Sequence, residues 1–191
     1  MRKITSKFSL FEAIVIALTA ALGMVSKPLI MPVVRLVTGP LNIPGGAVAG
    51  GLYMMFLVLA YGMTRRVFSA TLTALIQAVL AAVTGIGGAL GFASFAVYLP
   101  PGIAVDLIML IFLLCKQPRA NAPACFFACM AANLAGTFMM WGAMFQAPLS
   151  AIPFVWVMLA FSTAALSGGL GGLLAYFILK RARKVIDLRM L

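Results

Sequence analysis

The chain has 191 residues, of which 64% are hydrophobic and only 9% are charged, whereas a soluble domain has about 25% charged residues. This composition predicts an integral membrane protein. The chain has no histidine and only three acidic residues, Glu12, Asp106 and Asp187, so it cannot supply a Ser-His-Asp triad, a paired-carboxylate hydrolase site or a histidine-based metal centre. We therefore expect no enzymatic activity, no metal site and no cofactor.

A basic segment, residues 1–8, precedes the first apolar run, Leu10 to Val25. This arrangement is typical of a cleavable signal peptide, with Thr19 to Ala21 as a passable processing region, and equally of an uncleaved first helix. Further apolar runs follow, which favours the uncleaved helix.

Small residues recur along this first run at a spacing of four, at Ala13, Ala17 and Ala21. At that spacing they share one face of a helix and allow a second helix to approach closely. The face is suited either to packing within the chain or to docking against another membrane subunit.

Residues 26–46 contain Pro28, Pro32, Pro40 and Pro44, and prolines break regular structure. We therefore predict that this segment does not span the membrane and forms a structured first loop on the outer side.

The stretch from Gly39 to Met55, GPLNIPGGAVAGGLYMM, joins this loop to the second apolar run. It has glycines but lacks the lysine of the phosphate-binding motif GxxxxGK[ST], so we expect no nucleotide site. In lipid, irregular backbone is tolerated only where protein buries it or where it lines a watery cavity. We interpret the stretch as the end of an extracytoplasmic lid, with Asn42 as the residue most able to contact a ligand.

Six apolar runs predict six membrane-spanning helices, since about 20 residues are needed to cross the hydrocarbon core. The fourth run either begins near Ala93 and kinks at Pro100 and Pro101, or begins afresh at Pro101. The sequence thus predicts a single all-α integral membrane domain, a bundle of six transmembrane helices with a structured extracytoplasmic first loop. The approximate spans are 10–25, 47–63, 68–85, 93–115, 122–145 and 152–179, followed by a basic tail at 180–191.

The distribution of lysine and arginine predicts the orientation. With both termini in the cytoplasm, twelve of these residues lie inside and only Lys27 and Arg35 lie outside, as the positive-inside rule requires. We therefore expect a multi-pass protein of the bacterial plasma membrane with both termini cytoplasmic. The twelve are Arg2, Lys3, Lys7, Arg65, Arg66, Lys116, Arg119, Lys180, Arg181, Arg183, Lys184 and Arg189.

Asp106 is the one acidic residue well inside a predicted span. A carboxylate within the membrane is costly and is by default a functional candidate. The alternative is a structural Asp that ties the fourth helix to a neighbour, and Asn133 and Gln77 are its natural neutral partners.

Aromatic residues gather toward the predicted outer half, and they suit either an interfacial belt or the wall of a ligand pocket. Trp141 is the best pocket candidate because it shares a helix face with Asn133 and Thr137. The other aromatic residues of this half are Trp156, Tyr98, Tyr53 and Phe95.

Cys125 and Cys129 lie one helical turn apart, and Cys115 is the third cysteine. A metal site at this pair would lack histidine and a second cysteine pair. Apolar filling of a helix is therefore the preferred interpretation.

The six short spans, the basic tail, the small-residue face of the first span and the long outer first loop resemble the substrate-binding (S) components of energy-coupling factor (ECF) vitamin transporters. The stretches GPLNIPGGAVAGGLYMM and GIAVDLIMLIF are similar to bacterial members of that family. The resemblance covers nearly the whole chain. It also fits the absence of any ATP-hydrolysing motif, since an active importer of this composition must take its energy from another subunit.

The resemblance implies that the chain captures a vitamin or vitamin precursor at the outer side. It would then dock on a transmembrane coupling subunit driven by two ATPases and topple within the membrane. Ala13, Ala17 and Ala21 match the small-residue motif through which the family docks. The family's metal-transporting branch relies on an N-terminal histidine motif, which is absent here, so cobalt or nickel is not expected.

The family builds its pocket from the outer loops and the outer halves of helices four to six. Together with the residue-based arguments, this gives the candidate ligand contacts Asn42, Tyr98, Asp106, Asn133, Trp141 and Gln146.

Two other classes stay open on sequence grounds. A stand-alone secondary transporter or small channel would use Asp106 as its proton or cation site. A membrane enzyme is disfavoured by the thin catalytic inventory.

Overall fold

A computed structural model describes residues 9–38, 45–86, 91–118, 120–145 and 154–189, with side chains except at 141–145 and 184–189. These residues form α-helices and no strand. The helices are α1 (Leu10–Thr38), α2 (Gly45–Thr64), α3 (Ser69–Thr84), α4 (Ala93–Leu114), α5 (Ala122–Phe145) and α6 (Phe154–Arg189). All but α3, which has 16 residues, are long and apolar enough to cross a membrane. The predicted class, an all-α membrane protein, is confirmed.

Large apolar side chains are exposed along the outer faces of the bundle, including Leu22 on α1, Leu107 on α4 and Leu170 on α6. Such a surface would be an aggregation hazard in water. In a bilayer it is the surface that contacts lipid.

The first helix is much longer than its predicted span. It continues from Leu10 through Pro28 and Pro32 to Thr38, 29 residues or about 44 Å. The predicted outer loop is therefore wrong over residues 26–38, while 39–44 lie outside the described residues. Each proline removes one backbone donor, a loss that neighbouring helices and side chains compensate in membrane proteins.

The other helices begin and end close to the predicted positions. α4 begins at Ala93 and includes Pro100 and Pro101. Of the two starts that the sequence left open, the earlier one is therefore correct. α6 continues to Arg189, so the predicted tail is helical up to that residue.

The central element is α2, which contacts all five other helices. Its buried residues point in every direction rather than along one stripe, as expected of a helix surrounded by protein. The stretch beginning at Gly45 therefore leads directly into the core of the molecule.

Small residues of α6 allow its backbone to approach two helices at once. A Cβ on Gly171 would overlap the carbonyl oxygen of Gly51 on α2, and a Cβ on Gly172 would overlap that of Cys125 on α5. One turn earlier on α6, the Ser167 hydroxyl donates to the Val48 carbonyl and accepts from the Gly51 N–H at 3.1 Å. The SGGLGG sequence is thus a helix-packing device.

Polar contacts at one end of the bundle join α1, α2, α3 and α6. Ser9 and Glu12 form a capping box at the start of α1, and Glu12 also pairs with Arg66 at 2.7 Å. Arg183 of α6 donates to the Gly62 carbonyl of α2 at 3.0 Å. We call this the basic end, and the other end, where α1 and α3 finish and α4 begins, the opposite end.

Candidate functional site

A lysine and two tyrosines meet toward the opposite end of the bundle. The Nζ of Lys27 on α1 lies 3.8 Å from the ring centroid of Tyr98 on α4 and 5.7 Å from that of Tyr53 on α2. Both tyrosines are buried. Ring faces at these distances attract the ammonium group electrostatically, so three helices together fix the position of one cation.

Buried polar atoms without a hydrogen-bond partner occur on α2, α3 and α4. Within the described part of the chain they include Tyr53 Oη, Gln77 Nε2 and Ser94 Oγ. A buried polar group that lacks a partner costs about 1–3 kcal/mol. Such groups therefore indicate a place where a ligand or water completes the bonding.

The helix faces bring these groups toward Lys27. Ser94 lies one helical turn before Tyr98 on α4, so the two share a face. The Gln77 amide lies against Gly23, which is one turn before Lys27 on α1. We call Lys27, Tyr53, Gln77, Ser94 and Tyr98 the Lys27 cluster.

An apolar wall lies beside this cluster. It is formed by buried residues of α1, α3 and α4, among them Met24, Ala78 and Val97, with Phe95 and Met140 packed against them. An apolar wall with a few polar groups is the usual make-up of a small-molecule site.

Tyr98 is the predicted site residue that lies in the Lys27 cluster. Trp141 belongs to α5 directly after Met140, and its side chain is outside the described residues. Asn42 and Gln146 also lie outside the described residues. Trp156, by contrast, is exposed near the start of α6.

Asn133 lies in a different place, at the junction of three helices. Its Nδ2 donates to the Ala47 carbonyl of α2 at 3.1 Å and to the Ala164 carbonyl of α6 at 2.8 Å. A Cβ on Gly50 would overlap the Asn133 side chain, so the glycine makes room for it. The contacts of Asn133 thus fasten α5 to α2 and α6.

Asp106 contacts the beginning of α3. Its Oδ2 accepts hydrogen bonds from the Thr71 N–H at 2.8 Å and from the Thr71 hydroxyl at 2.6 Å. A carboxylate at a helix N-terminus satisfies free backbone donors and complements the helix dipole. The Oδ1 atom is buried and has no partner among the described residues. This geometry favours the structural alternative, a tie between α4 and α3.

The small-residue face of α1 points away from the bundle. Ala13, Ala17 and Ala21 are exposed, whereas Val15 and Thr19 on the opposite side of the helix are buried. This face therefore takes no part in packing within the described structure.

Sequence reasoning missed most of the Lys27 cluster. The prolines place Lys27 in a predicted loop, and for Tyr53 the sequence leaves an aromatic belt and a pocket wall both open. A signal was present nonetheless, since Lys27 and Arg35 are the two basic residues outside the clusters that set the orientation. The need of Gln77 for a partner was also visible in the sequence.

Comparisons with known proteins agree with this architecture. A family model described as "ABC-type cobalt transport system, permease component" matches residues 11–135. A solved structure titled "Crystal structure of an S-component of ECF transporter" has a TM-score of 0.72 at 16% identity, covering 94% of this chain and 87% of its own. A comparison with curated proteins gives no match.

The structural similarity extends over nearly the whole chain, so the resemblance to S components is confirmed at the level of the fold. The family model covers well over half of the residues. This membrane protein, with the S-component fold, belongs to the family of permease components of ABC-type cobalt transport systems.

Proposed function

We propose that the chain is the substrate-capturing subunit of an ECF-type importer. It binds a vitamin or vitamin precursor at the opposite end of the bundle, which faces outward, and delivers it by docking on a coupling subunit driven by two separate ATPases. The observation that carries the proposal is the S-component fold over 94% of the chain. The unpartnered polar groups of the Lys27 cluster support ligand capture at that end.

The exposed face of α1 supports docking. Ala13, Ala17 and Ala21 present no side chain larger than a methyl group, and no other described helix covers them. Close backbone approach at small residues is a common way for membrane helices to associate. A coupling subunit is the partner that this face accommodates.

The docking face is tested with Ala17→Leu, a change on the surface of the protein. We expect the variant to bind ligand normally but to lose most co-purification with an ECF coupling subunit and most uptake, because the added side chain separates the two backbones. Pull-down and whole-cell uptake measure the two effects.

Ala96→Leu, at an exposed alanine of α4, is the matched control and is expected to retain both properties. If Ala17→Leu docks and transports as well as Ala96→Leu, the docking face is wrong. If the unmodified chain associates with no ECF coupling subunit, the proposed function itself falls.

The family description names cobalt, and a metal ion is therefore the first competing cargo. The chain has no histidine, and within the described residues no group of three or more His, Cys, Asp or Glu side chains lies together. These donors are the ones that bind transition metals in proteins, so an organic ligand is favoured. Stoichiometric Co²⁺ binding to the purified chain, measured by elemental analysis, would favour the metal cargo.

A stand-alone transporter is the second candidate function, favoured by the buried and unpartnered Oδ1 of Asp106. A proton or cation could bind there. Transport into proteoliposomes without ATP or other subunits, abolished by Asp106→Asn, would support this candidate. Uptake that depends on a coupling subunit would exclude it.

A further inference from the structure

Every polar group of the Lys27 cluster can donate a hydrogen bond. Lys27 Nζ and Gln77 Nε2 can only donate, and the hydroxyls of Tyr53 and Ser94 can each donate one and also accept. Nζ has no carboxylate partner in the described part of the chain, and the other three atoms have no hydrogen-bond partner there. A set of free donors around a cation is complementary to an anion, which only accepts.

No acidic side chain in the described part of the chain neutralises Lys27. Glu12 is paired with Arg66 and lies 15 residues before Lys27 on the same helix, about 22 Å away. Asp106 is bonded to Thr71 at the start of α3. The remaining acid, Asp187, belongs to the last turns of α6 beyond the basic end. Lys27 therefore contacts two aromatic rings but no carboxylate of the described chain, and an anion from outside the chain would complete its charge pairing.

We propose that the Lys27 cluster binds the carboxylate or phosphate group of a small organic anion. The proposal rests on the proposed function and names the class of its ligand. Lys27 supplies the charge, the Tyr53 and Ser94 hydroxyls and the Gln77 amide supply hydrogen bonds, and the Tyr98 ring holds the lysine in place. The apolar side chains packed beside the cluster are the nearest surface for the uncharged part of the ligand.

A lipid headgroup carries the same anionic chemistry, and lysines often extend toward headgroups. The position of the cluster favours a small molecule instead. Tyr53 is on α2, the helix that contacts all the others, and it is only 6% exposed. The anion site is therefore inside the bundle rather than on its lipid-facing surface.

The test uses two pairs of probes that differ mainly in charge, nicotinate with nicotinamide and phenyl phosphate with phenol. Each is titrated against the purified full chain in a neutral detergent, and Kd is measured by calorimetry. We expect the anionic member of at least one pair to bind tenfold or more tightly than its neutral counterpart. Lys27→Met should remove this preference, and Lys27→Arg should keep most of it.

Two further variants make the result specific. Tyr53→Phe, which keeps the ring and removes one donor, should weaken anion binding several-fold. Lys116→Met, at an exposed lysine near the basic end, is the matched control and should change nothing. Lys27→Arg conserves the charge and Tyr53→Phe conserves the ring, so both variants are expected to fold. They provide the test if Lys27→Met fails to fold.

The proposal is overturned if neither pair shows a preference for the anion, or if Lys27→Met binds the anion as well as the unmodified chain does. It is also overturned if Lys27-dependent binding is seen only with phosphatidylglycerol in mixed micelles, since the anion would then be a lipid. We expect association with the coupling subunit not to depend on Lys27, because the proposed docking face is formed by Ala13, Ala17 and Ala21. If the unmodified chain docks normally but shows no preference for the anion, this inference alone is rejected. If the unmodified chain does not dock, the proposed function is rejected.

Discussion

At the scale of single residues, polar side chains within the helices divide into satisfied and unsatisfied groups. Asn133 and Thr71 have their bonds inside the protein, whereas Tyr53, Gln77 and Ser94 each retain an atom without a partner. The satisfied groups join helices to one another. These three unsatisfied groups belong to the Lys27 cluster, where we propose that a ligand binds, whereas the unpartnered Oδ1 of Asp106 lies elsewhere, at the start of α3.

Asn133→Ala tests the structural side of this division. The change removes two hydrogen bonds between helices, to the carbonyls of Ala47 and Ala164, so we expect a loss of about 1–3 kcal/mol in the free energy of unfolding. The measurement is thermal unfolding in detergent.

Thr163→Ala serves as the control for Asn133→Ala. The Thr163 hydroxyl bonds only to carbonyls of its own helix, at Leu159 and Ala160, and its loss should have little effect. Equal unfolding temperatures for the two variants would show that Asn133 does not fasten the helices.

At the scale of elements, glycine placement decides how closely α6 approaches its neighbours. Gly171 faces the backbone of Gly51, and no flexible side chain lies between them that could move aside. A methyl group added there must push α6 away from α2. Overpacking of this kind costs about 1–3 kcal/mol.

We therefore expect Gly171→Ala to lower the unfolding temperature clearly. Gly46→Ala is the matched control, because Gly46 is also helical but a Cβ there meets nothing within 4 Å. That variant should be neutral or slightly stabilising, since alanine has the higher helix propensity. A Gly171→Ala protein as stable as Gly46→Ala would mean that α2 and α6 can separate without cost.

The helices also show how much of the fold could be predicted from the sequence. The apolar runs predicted α2, α4 and α5 closely because length and hydrophobicity are enough to define a membrane helix, whereas α3 is shorter than a full span. They failed after Val25, where prolines were interpreted as a loop although α1 continues to Thr38. In a membrane protein, the surrounding helices override a proline's local preference.

The candidate site was less predictable than the helices. Tyr98 was selected from the sequence, but Lys27 was not, because its proximity to Tyr98 depends on how α1 packs against α4. Asn133 and Asp106 were selected as the polar residues inside spans, and sequence alone could not reveal that each already has partners. Whether a polar side chain has hydrogen-bond partners depends on contacts between helices that are distant in sequence.

At the scale of the whole molecule, the two ends differ in chemistry. The basic end carries Arg66, Lys116 and Arg183, whereas Lys27 lies toward the opposite end, where α4 begins. With 22 residues, α4 is about 33 Å long and matches the thickness of the hydrocarbon core. Its two ends are therefore expected at opposite surfaces of the membrane.

Native Cys115 makes this orientation testable. It follows α4 at the basic end and is exposed, whereas Cys125 and Cys129 are buried. With the basic end in the cytoplasm, a membrane-impermeant maleimide should leave Cys115 unlabelled in intact cells and label it after permeabilisation. The reverse behaviour is expected of Phe92→Cys in a Cys115→Ser background, because Phe92 is 91% exposed at the start of α4. Labelling of Cys115 from outside would invert the topology and put the Lys27 cluster on the cytoplasmic side, where it could not capture a nutrient from the medium.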